Sequence, residues 1–319
     1  MNKVLEVKDL NISLKKGDQL IPAVNHVSFT LAPQKTLGII GESGSGKSLT
    51  CYGLLGLLAK KRWQVEGDVL LKEARIPYWD NHAMASYRGM HMALIMQNPM
   101  SAFNPMITIG KHFHESINKP EAPKKSKAEV NKIALEMMTR MRIRDPEAVM
   151  RCYSFQLSGG MLQRIMIALA IVMKPDLLIA DEPTTSLDLT TQQEILNILR
   201  ELQENMGTSI LLVSHDLSVI SQLASDIAVM YAGSFVETGP ADVILNSPLH
   251  PYTRGLFASR PTFSKERLLV LEGQPPSLTE RAGGCDFYPR CLQRRHACLE
   301  QTPKISEYME RHKVRCTYC

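Results

Sequence analysis

Leu37-Gly38-Ile39-Ile40-Gly41-Glu42-Ser43-Gly44-Ser45-Gly46-Lys47-Ser48-Leu49 decides the fold class of this chain. An apolar run meets a glycine, so a buried strand ends where the backbone turns sharply. The spacing G-x-x-x-x-G-K-S then opens a helix, which the pattern predicts over 47–59. The glycines let successive backbone N–H groups face one point, and the helix N-terminus adds partial positive charge there. Lys47 supplies a full positive charge and Ser48 a hydroxyl suited to Mg²⁺. Gly41 through Leu49 therefore form a cradle for nucleotide phosphates. A chance glycine-rich turn is the competing reading, and the strand before and helix after speak against it.

Outward from this loop, residues 4–14 and 26–31 alternate apolar and polar, as half-buried antiparallel strands do, and 64–76 reads as a hairpin-like pair. Residues 91–97 form another core strand. From about 106 to 173 strand signals stop and Met, Leu and Ile recur at helical spacing, interrupted by a polar insert at 119–127 that reads as a solvated loop. This predicts a helical lobe inserted into an α/β sheet. Apolar strands return at Leu177–Asp181 and Ile210–Ser214, separated by a helix near 190–205, and a hairpin follows at 227–238. A Pro-rich tail runs from about 247, which gives two expected domains, 1–246 and 247–319.

The composition is that of an ordinary globular chain, 44% hydrophobic and 22% charged, which excludes collagen-like and disordered classes. The longest apolar run, Ile165–Met173, falls far short of the roughly 20 residues that cross a bilayer. The first nine residues alternate apolar with charged ones and lack the h-region of an export signal, so a cytoplasmic location is expected. With 37 Lys and Arg against 32 Asp and Glu, the net charge of +5 is too weak and dispersed to indicate nucleic-acid binding. Five of the seven cysteines stand at 285, 291, 298, 316 and 319, which points to metal rather than disulfides in such a compartment.

Three further groups carry chemistry. Leu177-Leu178-Ile179-Ala180-Asp181-Glu182 ends a buried strand in two carboxylates at the carboxyl edge of the sheet. Asp181 is placed to bind Mg²⁺ and Glu182 to act as general base for an attacking water, an acidic helix cap being the alternative. Leu157-Ser158-Gly159-Gly160-Met161-Leu162-Gln163 opens an apolar helix with an anion-binding turn, or with a plain Ser cap. In this order the motifs resemble those of the ATP-binding cassette (ABC) ATPases. The resemblance implies a P-loop NTPase core of ABC type with an antiparallel β subdomain, an inserted helical lobe and a Cys-rich extension. It implies that Ser158, Gly159, Gly160 and Gln163 face the γ phosphate of ATP on an opposite subunit. It also matches Gln97, closing its strand, to the Q-loop glutamine, Ser186-Leu187-Asp188 to the D-loop, and His215 to the switch histidine. Ser48, Gln97 and Asp181 are the implied Mg²⁺ ligands. The family's early adenine-stacking aromatic has no counterpart here, since Phe29 is the first aromatic residue, leaving Leu20 or Ile21 as apolar contacts.

His250-Pro251-Tyr252-Thr253 and Gly284-Cys285-Asp286-Phe287-Tyr288-Pro289-Arg290-Cys291, with Cys298 and Cys316, resemble the C-terminal extension of dipeptide, oligopeptide and nickel importer ATPases. Residues 96–105 and 160–164 look more like the nickel and metal-chelate subunits. The resemblance implies a [4Fe-4S] cluster on Cys285, Cys291, Cys298 and Cys316. On spacing alone only Cys316 and Cys319 form a close pair of the zinc type, and zinc or free thiols stay open. Cys51 and Cys152 are isolated and fit core positions. Met100, Phe103 and Met106, among turn-forming Asn and Pro, suit a partner's helix or else cover the helical lobe. The implied partners are two membrane-spanning permease subunits, a second ATPase subunit (a paralogue or another copy) and, indirectly, an extracytoplasmic solute-binding protein. The implied location is the cytoplasmic face of the membrane. A nucleic-acid ATPase of the same fold is disfavoured, because only 60 residues separate Gln97 from Ser158 and there is one phosphate loop.

Overall fold

The computed structural model describes residues 3–259, 271–280 and 283–319. Residues 1–2 of the N-terminal stretch, and 260–270 and 281–282 of the expected tail, lie outside the described residues. In chain order the strands are β1 Leu5–Lys16, β2 Gln19–Leu31, β3 Thr36–Ile40, β4 Trp63–Leu71, β5 Ala74–Arg75, β6 Met92–Ile95, β7 Leu177–Asp181, β8 Ser209–Ser214, β9 Asp226–Tyr231, β10 Ser234–Pro240, β11 Ser306–Met309 and β12 His312–Val314. The helices are α1 Lys47–Leu54, α2 Asn81–Tyr87, α3 Ile109–Ile117, α4 Lys127–Arg140, α5 Pro146–Val149, α6 Gly159–Ile171, α7 Leu189–Met206, α8 Leu217–Leu223, α9 Ala241–Asn246 and α10 Pro251–Ala258.

Two compact units divide these elements. One comprises Ile76–Leu212 with Leu31–Lys35. Its parallel pair sets Met92 of β6 opposite Leu177 of β7 and Ile95 opposite Ala180. Every residue of β7 is buried, as a strand covered on both faces requires. Between β6 and β7 this unit carries the helices α3, α4, α5 and α6. Ile109, Phe113 and Ile117 form the buried stripe of α3, and Val130, Ala134 and Met138 that of α4, at the spacing of one helix face. α4 starts at a capping box in which the Ser126 hydroxyl accepts the Glu129 N–H and the Glu129 carboxylate accepts the Ser126 N–H. The loop before it is less solvated than its charges suggest: Lys119 Nζ turns inward and donates to the Ala85 and Arg88 carbonyls at 2.8 and 2.6 Å.

The other unit comprises Leu5–Thr30, Thr36–Arg75 and the chain from Val213 onward. Its antiparallel sheet has the order β2-β1-β4-β5, with Leu5 opposite Leu71 and Leu14 opposite Trp63. β3 pairs in parallel with β9, and β9 in antiparallel fashion with β10. β10 then takes β12 as its neighbour, with Glu237 opposite Val314, and β11 lies outside β12.

Within the expected Pro-rich tail the chain adds α10, β11 and β12. Two expectations need correction. α1 stops at Leu54 rather than 59, capped by Leu55 and followed by Gly56 at φ 60°. Gln97 does not close its strand, which ends at Ile95. α2 was not expected; Asp80 nucleates it by accepting the N–H groups of His82 and Ala83.

Candidate functional site

The phosphate loop joins β3 to α1. Gly41 has no room for a side chain, since a Cβ there would stand 2.2 Å from the Met230 carbonyl oxygen. Gly46, the residue before α1, has φ 108°, a conformation that costs glycine nothing. Lys47 is 5% exposed, and its Nζ donates to the Gly41 and Glu42 carbonyls at 2.8 and 2.9 Å. The lysine thus folds over its own loop. The Ser45 hydroxyl is buried and makes no hydrogen bond among the described residues. A buried orphan donor inside an anion cradle fits a phosphate oxygen as the missing partner.

In the other unit, β7 delivers Asp181, which is 1% exposed, at its last position. Glu182 follows in the left-handed region at φ 50°, a strained conformation for a non-glycine residue. Its Oε2 accepts Gln97 Nε2 at 2.9 Å and Thr185 Oγ1 at 2.8 Å. The turn and two donors therefore fix the carboxylate in one orientation. Ser158 caps α6 by accepting the Met161 N–H, so the plain capping role is present. Ser158 and Gly159 are exposed and Gly160 half-buried. Gln163 departs from them: it is 2% exposed, and its Nε2 donates to the Pro183 carbonyl at 2.7 Å. It ties α6 to the turn after Glu182 instead of facing outward. Asp188 caps α7, and hydrogen bonds from the Thr191 N–H and hydroxyl hold its carboxyl below the usual range. His215 is exposed at the end of β8.

Of the apolar residues in 98–110, Met100 and Met106 are 47% and 80% exposed. Phe103 is buried and meets His112 edge-on at 5.2 Å, so it covers the lobe rather than awaiting a partner. Leu20, expected as an adenine contact, is exposed.

In the tail, Cys285, Cys291, Cys298 and Cys316 line one cavity together with His250 and Tyr318. Burial pushes the Cys285 thiol up to about 11, and the neighbouring Cys298, Cys291 and Cys316 add to the rise. Burial likewise raises Cys291 and takes Cys319 to about 11. Burial also depresses His250, to about 3. Among the described residues no three His, Cys, Asp or Glu side chains come close enough for a single metal ion. Cys51 is buried, as expected, and Cys152 donates its S–H to the Ala148 carbonyl.

Residues 24–185 match the ABC transporter family, and residues 236–298 match the oligopeptide/dipeptide transporter C-terminal region. The dipeptide transport ATP-binding protein DppD of Bacillus subtilis is 39% identical, with 99% of this chain and 95% of the relative covered. The oligopeptide transport ATP-binding protein OppD of Haemophilus influenzae is 37% identical, with 97% and 95% covered. A solved dimer of an ATP-binding cassette, in a post-hydrolysis state with ADP and Pi, matches with a TM-score of 0.66 at 25% identity, over 74% of this chain and 98% of that one. The chain belongs to the ABC transporter family. It has the cassette fold, and its activity is ATP hydrolysis coupled to transport. No helix among the described residues is long and apolar enough to cross a membrane.

Proposed function

We propose that this chain is the ATP-hydrolysing subunit of an importer for dipeptides or oligopeptides, seated on the cytoplasmic face of the membrane against two permease subunits and paired with a second ATPase subunit. A solute-binding protein would deliver the cargo to the permeases. The observation that carries this reading is the match of residues 236–298 to the oligopeptide/dipeptide transporter C-terminal region, in one chain with the ABC transporter match over 24–185.

In this reading, loop 41–49 holds the triphosphate through its backbone N–H groups, and Lys47 leaves its carbonyl partners to face the phosphates. Glu182, oriented by Gln97 and Thr185, accepts the proton of the attacking water. His215 and Asp188 complete the set. Ser158, Gly159 and Gly160 of the second subunit hold the γ phosphate. Gln163 braces α6 against the turn after Glu182 from inside its own chain. Ser48, Gln97 and Asp181 offer the hard oxygen donors that Mg²⁺ prefers, and the ion would supply charge neutralisation at the phosphates. Cys285, Cys291, Cys298 and Cys316 would hold a [4Fe-4S] cluster, whose role is structural, folding a loop-rich segment.

The likeness of residues 96–105 to nickel and metal-chelate subunits supports a second cargo. The two are separated by reconstituting the chain with its permease and solute-binding subunits in proteoliposomes. Stimulation of ATPase activity by peptide-loaded binding protein is the expected result. Stimulation by a nickel chelate alone would overturn the peptide assignment.

A further inference from the structure

The second residue of the phosphate loop is held from the far end of the chain. Arg290 Nη1 donates to Glu42 Oε2 at 2.7 Å and its Nη2 to Oε1 at 2.9 Å, a parallel two-bond fork. The third donor, Nε, is taken by the Glu272 carbonyl at 2.9 Å. The guanidinium side chain is 4% exposed and the carboxylate 26%. The rings of Tyr231 and Phe287 stand 5.8 and 6.0 Å from the guanidinium carbon. The backbone of Glu42 is engaged as well. Its N–H donates to the Tyr252 hydroxyl at 2.9 Å, and its carbonyl accepts Lys47 Nζ at 2.9 Å. One residue therefore connects the tail directly to the lysine of the loop.

A carboxylate at this position carries negative charge at the edge of a cradle whose substrate is a polyanion. Left unpaired, it would repel the phosphates and pull Lys47 toward itself. A buried guanidinium cancels that charge, and its fork fixes the carboxylate where a point charge would not. We propose that Arg290 is a positioning residue of the nucleotide site: it neutralises Glu42 and, with Tyr252, holds the loop in the shape that accepts a nucleoside triphosphate. This rests on the ATPase reading. Arg290 directly precedes Cys291, so the fold of the thiol cavity delivers the guanidinium to the loop, and the tail helps build the nucleotide site.

The test measures binding of a fluorescent ATP analogue with Mg²⁺ to the full-length chain, alongside KM and kcat. Arg290→Ala should weaken binding about tenfold and raise KM more than it lowers kcat, the size expected of one uncompensated charge near the surface. Adding Glu42→Gln to Arg290→Ala should restore affinity to within about threefold of the wild type, because the repelling charge is gone. Raising the salt to about 0.5 M should narrow the deficit of the single variant. A purely structural arginine would not be rescued by removing a charge. Equal weakness in Arg290→Ala and the double variant would overturn the proposal, as would wild-type affinity in Arg290→Ala. Should Arg290→Ala fail to fold by circular dichroism, Arg290→Lys decides, since it keeps the charge and loses the fork. It should bind about threefold more weakly, and unchanged affinity would again overturn the proposal. A wild-type chain that does not bind the analogue at all would sink the ATPase reading itself.

Discussion

Glu237 offers the sharpest test of how the tail is joined to the cassette. It is fully buried on β10, and its carboxylate accepts three hydrogen bonds: from the Leu249 N–H at 2.7 Å, the His250 N–H at 3.0 Å and His312 Nε2 at 2.8 Å. The two backbone donors approach different oxygens, and His312 shares one of them. Glu237→Gln replaces one oxygen by an NH₂ group that can only donate, so a buried donor must face another donor. One orphaned buried N–H costs about 1–3 kcal/mol, and turning the surviving charge-assisted bonds into neutral ones costs about 1 kcal/mol each. The expected loss is about 4 kcal/mol, read from urea unfolding followed by tyrosine and tryptophan fluorescence. The His312→Ala and Glu237→Gln pair should be non-additive, because both act on the one bond the two residues share, which Glu237→Gln weakens and His312→Ala removes. A loss below about 1 kcal/mol in Glu237→Gln, or additive losses in the pair, would refute the reasoning.

Three further outcomes are expected. Glu182→Gln should keep ATP binding and lower phosphate release by on the order of a hundredfold or more, because the amide preserves the bond from Gln97's environment but cannot take a proton; near-normal turnover would remove the general-base role. Mixing a Ser158→Arg chain with a Lys47→Ala chain should recover ATPase activity absent from either alone where the working pair is a homodimer, since each mixed dimer retains one intact composite site; an active homodimer without recovery would exclude the composite arrangement. Chain purified without oxygen should be brown, with about four irons, and Cys285→Ser should be colourless; colourless wild type carrying one zinc would replace the cluster by a zinc module.

What the sequence made legible follows from how narrowly each pattern constrains the backbone. Gly41 and Gly46 have no alternatives at a close approach and a positive φ, so the turn between β3 and α1 was legible. Leu177–Asp181 was readable because a strand buried on both faces is apolar along its run, here Leu177 to Ala180, before the terminal Asp181. β11 left no such trace: all four of its residues are exposed, so no alternation marks it. The Arg290–Glu42 pair spans 248 positions, and neither residue carries a local signal of the other. Gln163 did leave one. It lies on α6 among Leu162, Ile165, Met166 and Ile167, all buried, and an amide in such company has to find an internal partner. Phe103 stayed between two readings for the converse reason, because Asn and Pro around it suggest an exposed turn while its ring packs on His112.

The change in composition near 247 suggests an appendage, yet the polar contacts point the other way. Within one compact unit, β12 extends the sheet through β10, and Glu237 joins β10 to the segment before α10 and to His312. Tyr252 and Arg290 both end on Glu42. Each of these bonds leaves its cassette partner orphaned if the tail is removed: a buried carboxylate on β10, a loop N–H, and a loop carboxylate beside the phosphates. Burial without a partner costs more than a bond contributes when made, so the cassette has come to depend on the segment that covers it. The thiol cavity is the least self-sufficient part of that segment, being loop-rich and built from groups that repel when ionised. In the proposed reading, a cluster held by the four sulfurs would therefore act on the ATPase at one remove, by keeping Arg290 and Tyr252 where the phosphate loop needs them.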